Sequence, residues 1–370
     1  MMNKLKDLPF TSYHPSYEFL AFYRIFFSLF LLWIGISDNS WIYSVAGIAM
    51  HPPVSILSFT DFIPSEFFFV ACLFIMHMCL LLTLIGYRPK IFAIIYMVLY
   101  IVTNNYAYSF GKINHDFIYT LPLLVMAFSP WNRVYSFFPE PEQETDDLAK
   151  SWPMFLMSLI FSFGMFTAGF AKILGGWFSM DTQYTQIFFN KYRYIIGWND
   201  LLSDVYDGIN SKFFWEILDY FTVIFETVFI VSFFYPKFFR GMLIIVIFFH
   251  VNVLLMLNIS FSFSVGLYTL FIPAHLLPTV FRNKIKTVLA MIFNQKYKVI
   301  AIILIFLYLL LLGFFNISAI DFVINKILSY FSFGKHSVPL IIMGGYFLLA
   351  FYLLIRSWKN LIEKANKTRK

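Results

Sequence analysis

The sequence predicts an all-α fold, a polytopic integral membrane helical bundle of about ten transmembrane helices with both termini cytoplasmic. Three observations lead there. Of 370 residues, 60% are hydrophobic, 22% aromatic and only 13% charged, with a mean hydropathy of +0.74, which is more apolar than a water-facing surface tolerates. The apolar residues gather in ten runs separated by polar stretches. The 27 lysines and arginines are distributed unevenly between those stretches.

In chain order the runs are Phe19–Ile36, Phe67–Ile85, Ile91–Tyr108, Asp116–Phe128, Trp152–Ala171, Phe213–Phe234, Phe239–Leu257, Phe261–Leu277, Val299–Phe315 and Val338–Leu354. A helix needs about 20 apolar residues to cross about 30 Å of hydrocarbon. The fourth run is short, and either extends upstream through Asn114 and His115 or begins in a re-entrant stretch. The first begins near Phe19 and reads as an uncleaved anchor, with no cleavable signal peptide before it.

Loop charge gives the direction. With the N-terminus inside, nineteen basic residues fall on inner loops and tails, including six between Arg356 and Lys370, against seven outer ones: Lys112, Lys172, Lys191, Arg193, Lys212, Lys326 and Lys335. Arg24 lies inside the first run, where it reads as a snorkelling residue. This is a positive-inside distribution. The net charge of +7 is then a property of inter-helix loops, so membrane lipid is the expected partner and nucleic acid is not.

No second soluble domain is expected. The longest extramembrane stretches are the outer segments Ser37–Glu66, Ile173–Lys212 and Asn316–Ser337. The middle one carries Trp177, Tyr184, Tyr192, Tyr194 and Trp198, a composition suited to the membrane interface. The acidic inner loop from Glu140 to Asp147 reads as a solvated, mobile linker. No internal repeat is visible, which leaves an inverted-repeat transporter without support. Cys72 and Cys79 lie seven apart on one apolar helix face and read as small packing residues, neither disulfide nor metal ligands.

Ionisable residues inside apolar runs are functional hypotheses by default, each beside a plainer structural one. Lys172 ends the run from Trp152 and sits at the outer boundary, where it either snorkels or, giving up its proton, acts as a base. His115 opens the next inward run, with Asn114 as a cap and Asp116 complementing the helix dipole; a histidine also suits proton transfer. His250 and Asn252 fall in the outer half of the seventh run, and Ser260, Ser262 and Ser264 begin the eighth. Asp219 and Glu226, seven apart, share one face of the sixth. Inter-helix hydrogen bonds and a buried ion pair would explain these residues; their common depth also permits one cavity to collect them. No phosphate loop, HExxH or CxxC is present, and no metal is expected.

Four segments are similar to one family. Phe22-Tyr23-Arg24-Ile25, Asn114-His115-Asp116-Phe117-Ile118-Tyr119, Ala168-Gly169-Phe170-Ala171-Lys172 running on to Trp177, and Phe249-His250-Val251-Asn252 followed by Phe261 to Gly266 occur in that order. Together they resemble the horizontally transferred transmembrane domain, the membrane part of vitamin K-dependent γ-glutamyl carboxylase, over roughly residues 15–280. The resemblance implies an eight-helix carboxylase-like domain there, with 281–370 adding two helices and a basic cytoplasmic tail. It implies a membrane enzyme with Lys172 as the base that deprotonates a reduced naphthoquinone, a vitamin K-like hydroquinone, which then reacts with O2. His115 matches the histidine on the substrate side, Asn114 a quinone-contacting position and His250 a membrane histidine; Asn252 lies beside it in the same motif. Glu226 falls at an acidic position of a loosely aligned segment.

The family's large outer or luminal domain, which helps bind a peptide substrate, has no counterpart after the eighth run. The substrate expected is therefore a peptide or another molecule on the outer face, presented with the help of a secreted peptide or soluble partner protein. The setting implied is the bacterial cytoplasmic membrane. The alternative is a non-catalytic maturation or accessory partner in which Lys172 and His115 are structural.

Overall fold

The computed structural model describes residues 2–34, 36, 38–45, 62–110, 116–198, 201–315 and 337–368. Its helices are α1 (Met2–Thr11), α2 (Tyr17–Ile34), α3 (Glu66–Ile85), α4 (Pro89–Tyr108), α5 (Asp116–Thr120), α6 (Pro122–Met126), α7 (Asp146–Leu174) and α8 (Tyr184–Asn190). After these come α9 (Ser203–Asp207), α10 (Lys212–Val228), α11 (Pro236–Leu257), α12 (Ser264–Leu270), α13 (Thr279–Ile292), α14 (Lys298–Phe315) and α15 (Ser337–Thr368). Among the described residues there is no strand. Among the described residues, eight helical stretches are long and apolar enough to cross a membrane: Tyr17–Ile34, Glu66–Ile85, Pro89–Tyr108, Asp146–Leu174, Lys212–Phe234, Pro236–Leu257, Gln295–Gly313 and Pro339–Ser357. The protein is a multi-pass integral membrane protein.

The fourth and eighth apolar runs form shorter helices than the sequence pattern implies. Pro122, lacking an N–H, separates α5 from α6. The eighth run makes only the seven residues of α12 and, past Pro273, a single 3-10 turn over Ala274–Leu276.

The chain divides into two compact units, Tyr13–Met154 with Pro278–Phe331, and Met1–Ser12 with Phe155–Leu277 and Ser332–Lys370. In the first of these, α3 and α4 form a hairpin closed at Gly86, whose φ of +81° is left-handed. A side chain there would strike Ser136 and Asn132, so glycine meets both a backbone and a packing need. The Asn132 amide donates to the Gly86 carbonyl at 2.9 Å, and the Phe137 N–H donates to the Ile85 carbonyl at 3.1 Å. The chain that leaves α4 at Ser109 is thus back beside the start of α4 by Trp131.

Arg24 departs from the snorkelling expectation. It is fully buried in α2 and donates to the Trp131 carbonyl at 3.2 Å, to the Asn132 side-chain oxygen and to the Tyr135 carbonyl. Carbonyls brought in by the 131–135 turn replace the water a snorkelling arginine would seek. The acidic linker also departs from expectation. Asp146 is buried and accepts a forked pair from Arg133 at 2.8 and 2.7 Å, while the Tyr17 hydroxyl donates to Glu142 at 2.5 Å. That paired geometry, with the Asp146 carboxylate beside it, raises the Arg133 guanidinium above its ordinary range. This end of the linker is held in place.

The other unit is built on aromatic packing: Phe161 meets Phe229, Phe239 and Tyr268 edge-on, with centroids 5.5 to 6.5 Å apart. The residues of 258–271 run back along α11. The Phe271 carbonyl accepts from Arg240 at 3.2 Å, and the Phe239 and Phe271 rings lie 4.6 Å apart. Although α12 is short, its segment returns from the Leu257 end of α11 to the Arg240 end. Thr269 on α12 bonds to Tyr346 on α15. Cys72 and Cys79 are buried free thiols.

Candidate functional site

The buried face of α10 carries acids. Glu216, Asp219 and Glu226 are buried together with Trp215, Thr222 and Val223, while Phe213, Ile217, Phe221, Ile224 and Val228 are exposed. A soluble helix buries its apolar face; here the lipid takes the apolar face and the carboxylates point inward. Each then needs a partner.

Glu226 pairs with Lys172, whose Nζ donates to Oε2. The Glu226 side chain is 7% exposed and that of Lys172 is 23% exposed, so the amine is the accessible half of the pair. Gly169, one turn before Lys172 on α7, makes the approach possible. A Cβ at 169 would sit 2.6 Å from Thr227 Oγ1 and 2.9 Å from Glu226 Cβ, so only a hydrogen at this position lets α10 come this close. Thr227 Oγ1 is buried beside the pair without a hydrogen-bond partner.

An aromatic stack covers the amine. Lys172 Nζ lies 5.4 Å from the centroid of the Trp177 ring, and Trp177 stacks on Tyr184 at 5.3 Å with the planes 7° apart. The stack is pinned from below. Asp219 accepts from the Tyr184 and Thr185 N–H groups, both at 2.8 Å, and from the Thr185 hydroxyl at 2.5 Å, which satisfies two orphan donors at the start of α8. Gln183 donates to Glu216 at 2.7 Å. In a segment read from sequence as interfacial, Trp177 and Tyr184 thus become parts of the surroundings of Lys172. Outside the spans, burial raises the phenol of Tyr206 above its ordinary range.

His250 is held elsewhere in the same unit. It is buried and stacked on Phe261 at 4.0 Å, and it shares a 2.5 Å hydrogen bond between Nδ1 and the Tyr268 hydroxyl. Asn252 turns back on its own helix and donates to the Phe248 carbonyl at 2.9 Å. Ser260 and Ser262 bond to each other at 2.5 Å. Lys172 and His250 therefore have separate partners, Glu226 and Tyr268. Asn114 and His115 lie outside the described residues. Among the described residues, no group of three His, Cys, Asp or Glu side chains is placed to hold a metal ion.

The sequence had pointed to Lys172, Asp219, Glu226, His250 and Asn252. It had missed Glu216, Gln183 and Thr185 and the role of Tyr268. The spacing of 216, 219 and 226 on one helical face was a usable signal for the first; nothing local pointed to Gln183 or Thr185. No protein-family model matches the chain, and neither a curated protein nor a solved structure matches it.

Proposed function

We propose that the chain is a membrane enzyme of the carboxylase-like class. In this reading it uses a reduced quinone, O2 and Lys172 as base to modify, by carboxylation or a related step, a peptide or other substrate at the outer membrane face. The supporting observation is the accessible amine of Lys172 held between a buried carboxylate and an aromatic stack. The fourth and eighth runs, each returning the chain to the end it came from, support ten crossings with both termini cytoplasmic. The horizontally transferred transmembrane domain would then occupy residues 15–280.

The residues around Lys172 fit a naphthohydroquinone. Trp177, stacked on Tyr184, sets an aromatic wall beside the amine. When bound, the hydroquinone supplies the reducing electrons. The chain's own work is proton handling. For that role the proton shared by Lys172 Nζ and Glu226 Oε2 passes to the carboxylate, which leaves the amine free to act as a base. The free amine then takes a hydroxyl proton, and Glu226 keeps it in place. His115 has the substrate-side role that the resemblance implies.

The test is quinol-dependent incorporation of labelled CO2 into candidate peptides by the purified protein, beside the Lys172→Met/Glu226→Gln double variant. Incorporation that persists in the double variant sinks the proposal. One observation favours a non-catalytic maturation partner instead: Glu226 already neutralises Lys172, as a purely structural inter-helix pair requires. In that case variants of the pair lose stability and function in step.

A further inference from the structure

We infer that the groove between α2 and α13 is a binding site for a single anionic phospholipid, the acyl chain lying along α2 and the phosphate meeting Lys284. The groove has a volume of about 500 Å³ and is lined by Phe22, Phe26 and Leu29 on α2 and by Lys284, Ile285 and Val288 on α13. Phe22, Phe26 and Leu29 follow at helical spacing on one side of a membrane-spanning helix, with Phe22 and Phe26 stacked at 6.1 Å. Leu29 is 44% exposed and Val288 40%, so the groove opens outward from the unit.

Its chemistry is that of a lipid: one long apolar wall and one cation. α13 carries Arg282, Lys284 and Lys286 within five residues, yet exposes Val280, Phe281, Met291 and Ile292, the mixture of an interfacial helix. Lys286 is already matched, bonding at 2.9 Å to Glu18 in the first turn of α2. That contact ties α13 to α2 and uses the only acid of α2. Arg282 donates to Thr279 at 3.4 Å, and its Nε is buried without an acceptor. Among the described residues Lys284 has no carboxylate partner, and it is the one charged side chain lining the groove. Basic pockets beside membrane helices select anionic headgroups.

The full chain in detergent would be exchanged with equimolar phosphatidylglycerol and phosphatidylcholine of identical acyl chains, and retained lipid read by native mass spectrometry. One phosphatidylglycerol should be retained about fivefold over phosphatidylcholine, the preference one lysine near a membrane surface gives. Lys284→Gln should bring that ratio close to one, Lys284→Arg should keep it, and Leu29→Trp should reduce retention of both lipids. Lys359→Gln in α15, which does not line the groove, should change nothing. Inorganic phosphate at matched concentration should not displace the lipid. Equal retention of the two lipids by the unaltered protein overturns the site, as does a preference that survives Lys284→Gln. Displacement by phosphate would mean that an anion alone is recognised, and overturns the lipid assignment. The unaltered protein carries the first comparison, so a variant that fails to fold leaves the test intact.

Discussion

Gly169 on α7 is pressed against Glu226 on α10, with Glu226 Cβ 2.9 Å and the Thr227 backbone nitrogen 2.7 Å from where a side chain at 169 would begin. Glycine to alanine in a helix ordinarily gains about 1 kcal/mol of propensity. Here overpacking against backbone costs about 1–3 kcal/mol and also pulls Glu226 from Lys172, so the clash wins. Gly169→Ala should lower the thermal midpoint in detergent. A midpoint equal to or above that of the unaltered protein would mean that the helices do not need the close approach.

Removing one partner of the pair should cost more than removing both. Lys172→Ala leaves a buried carboxylate unmatched, worth about 3–5 kcal/mol for a fully buried pair; with the Lys172 side chain 23% exposed, the lower end applies. Lys172→Met/Glu226→Gln should recover most of that stability while staying inactive. Chemical unfolding of the two single variants and the double variant measures the coupling. Additive single effects would mean that the ion pair contributes nothing.

Asp219 accepts three hydrogen bonds at the start of α8. Asp219→Asn keeps the shape but loses charge assistance, at a cost of about 1.5–3 kcal/mol. Hydrogen exchange of the amides in 184–190 should quicken, while that of the α2 amides stays unchanged. Unaltered protection at Tyr184 and Thr185 would remove the carboxylate from its anchoring role.

The outward placement of Lys172 can be read by labelling. Cys72 and Cys79 are buried, so single cysteines introduced at exposed positions should report alone. In intact cells Met180→Cys should react with a membrane-impermeant maleimide, and Glu144→Cys only after permeabilisation. The reverse pattern would put the amine on the cytoplasmic face.

That last experiment addresses something loop charge does not decide. If the fourth and eighth runs failed to cross, Arg133, Lys150, Lys237 and Arg240 would change sides with Lys172, Lys191, Arg193 and Lys212, four for four. The totals would still stand at nineteen and seven. The contacts that bear on the matter are tertiary: Asn132 at the Gly86 carbonyl, and Arg240 at the Phe271 carbonyl. The long helices were legible because 18 or more apolar residues leave few other structures in a bilayer. The break at Pro122 was visible but ambiguous, since proline can kink a helix as well as end it. Periodicity placed Glu226 on a face with Asp219, but it carries no information about which helix that face meets, so the pairing with Lys172 across 54 residues was out of reach. Arg24 was misread for the same reason: its acceptors lie more than 100 residues away.

The separation of Lys172 and Glu226 in the chain bears on how the protein is made. A ribosome adding about 5–20 residues per second delivers Lys172 several seconds before the 54 residues leading to its counter-ion are complete. During that interval α7 carries an unmatched ammonium that resists settling in lipid. Arrival of α10 removes the mismatch, so the pair acts as a latch on membrane assembly. Variants that keep Lys172 but lack Glu226 should accordingly reach the bilayer in smaller amount than the double variant, and an assay of them has to begin with how much protein was inserted.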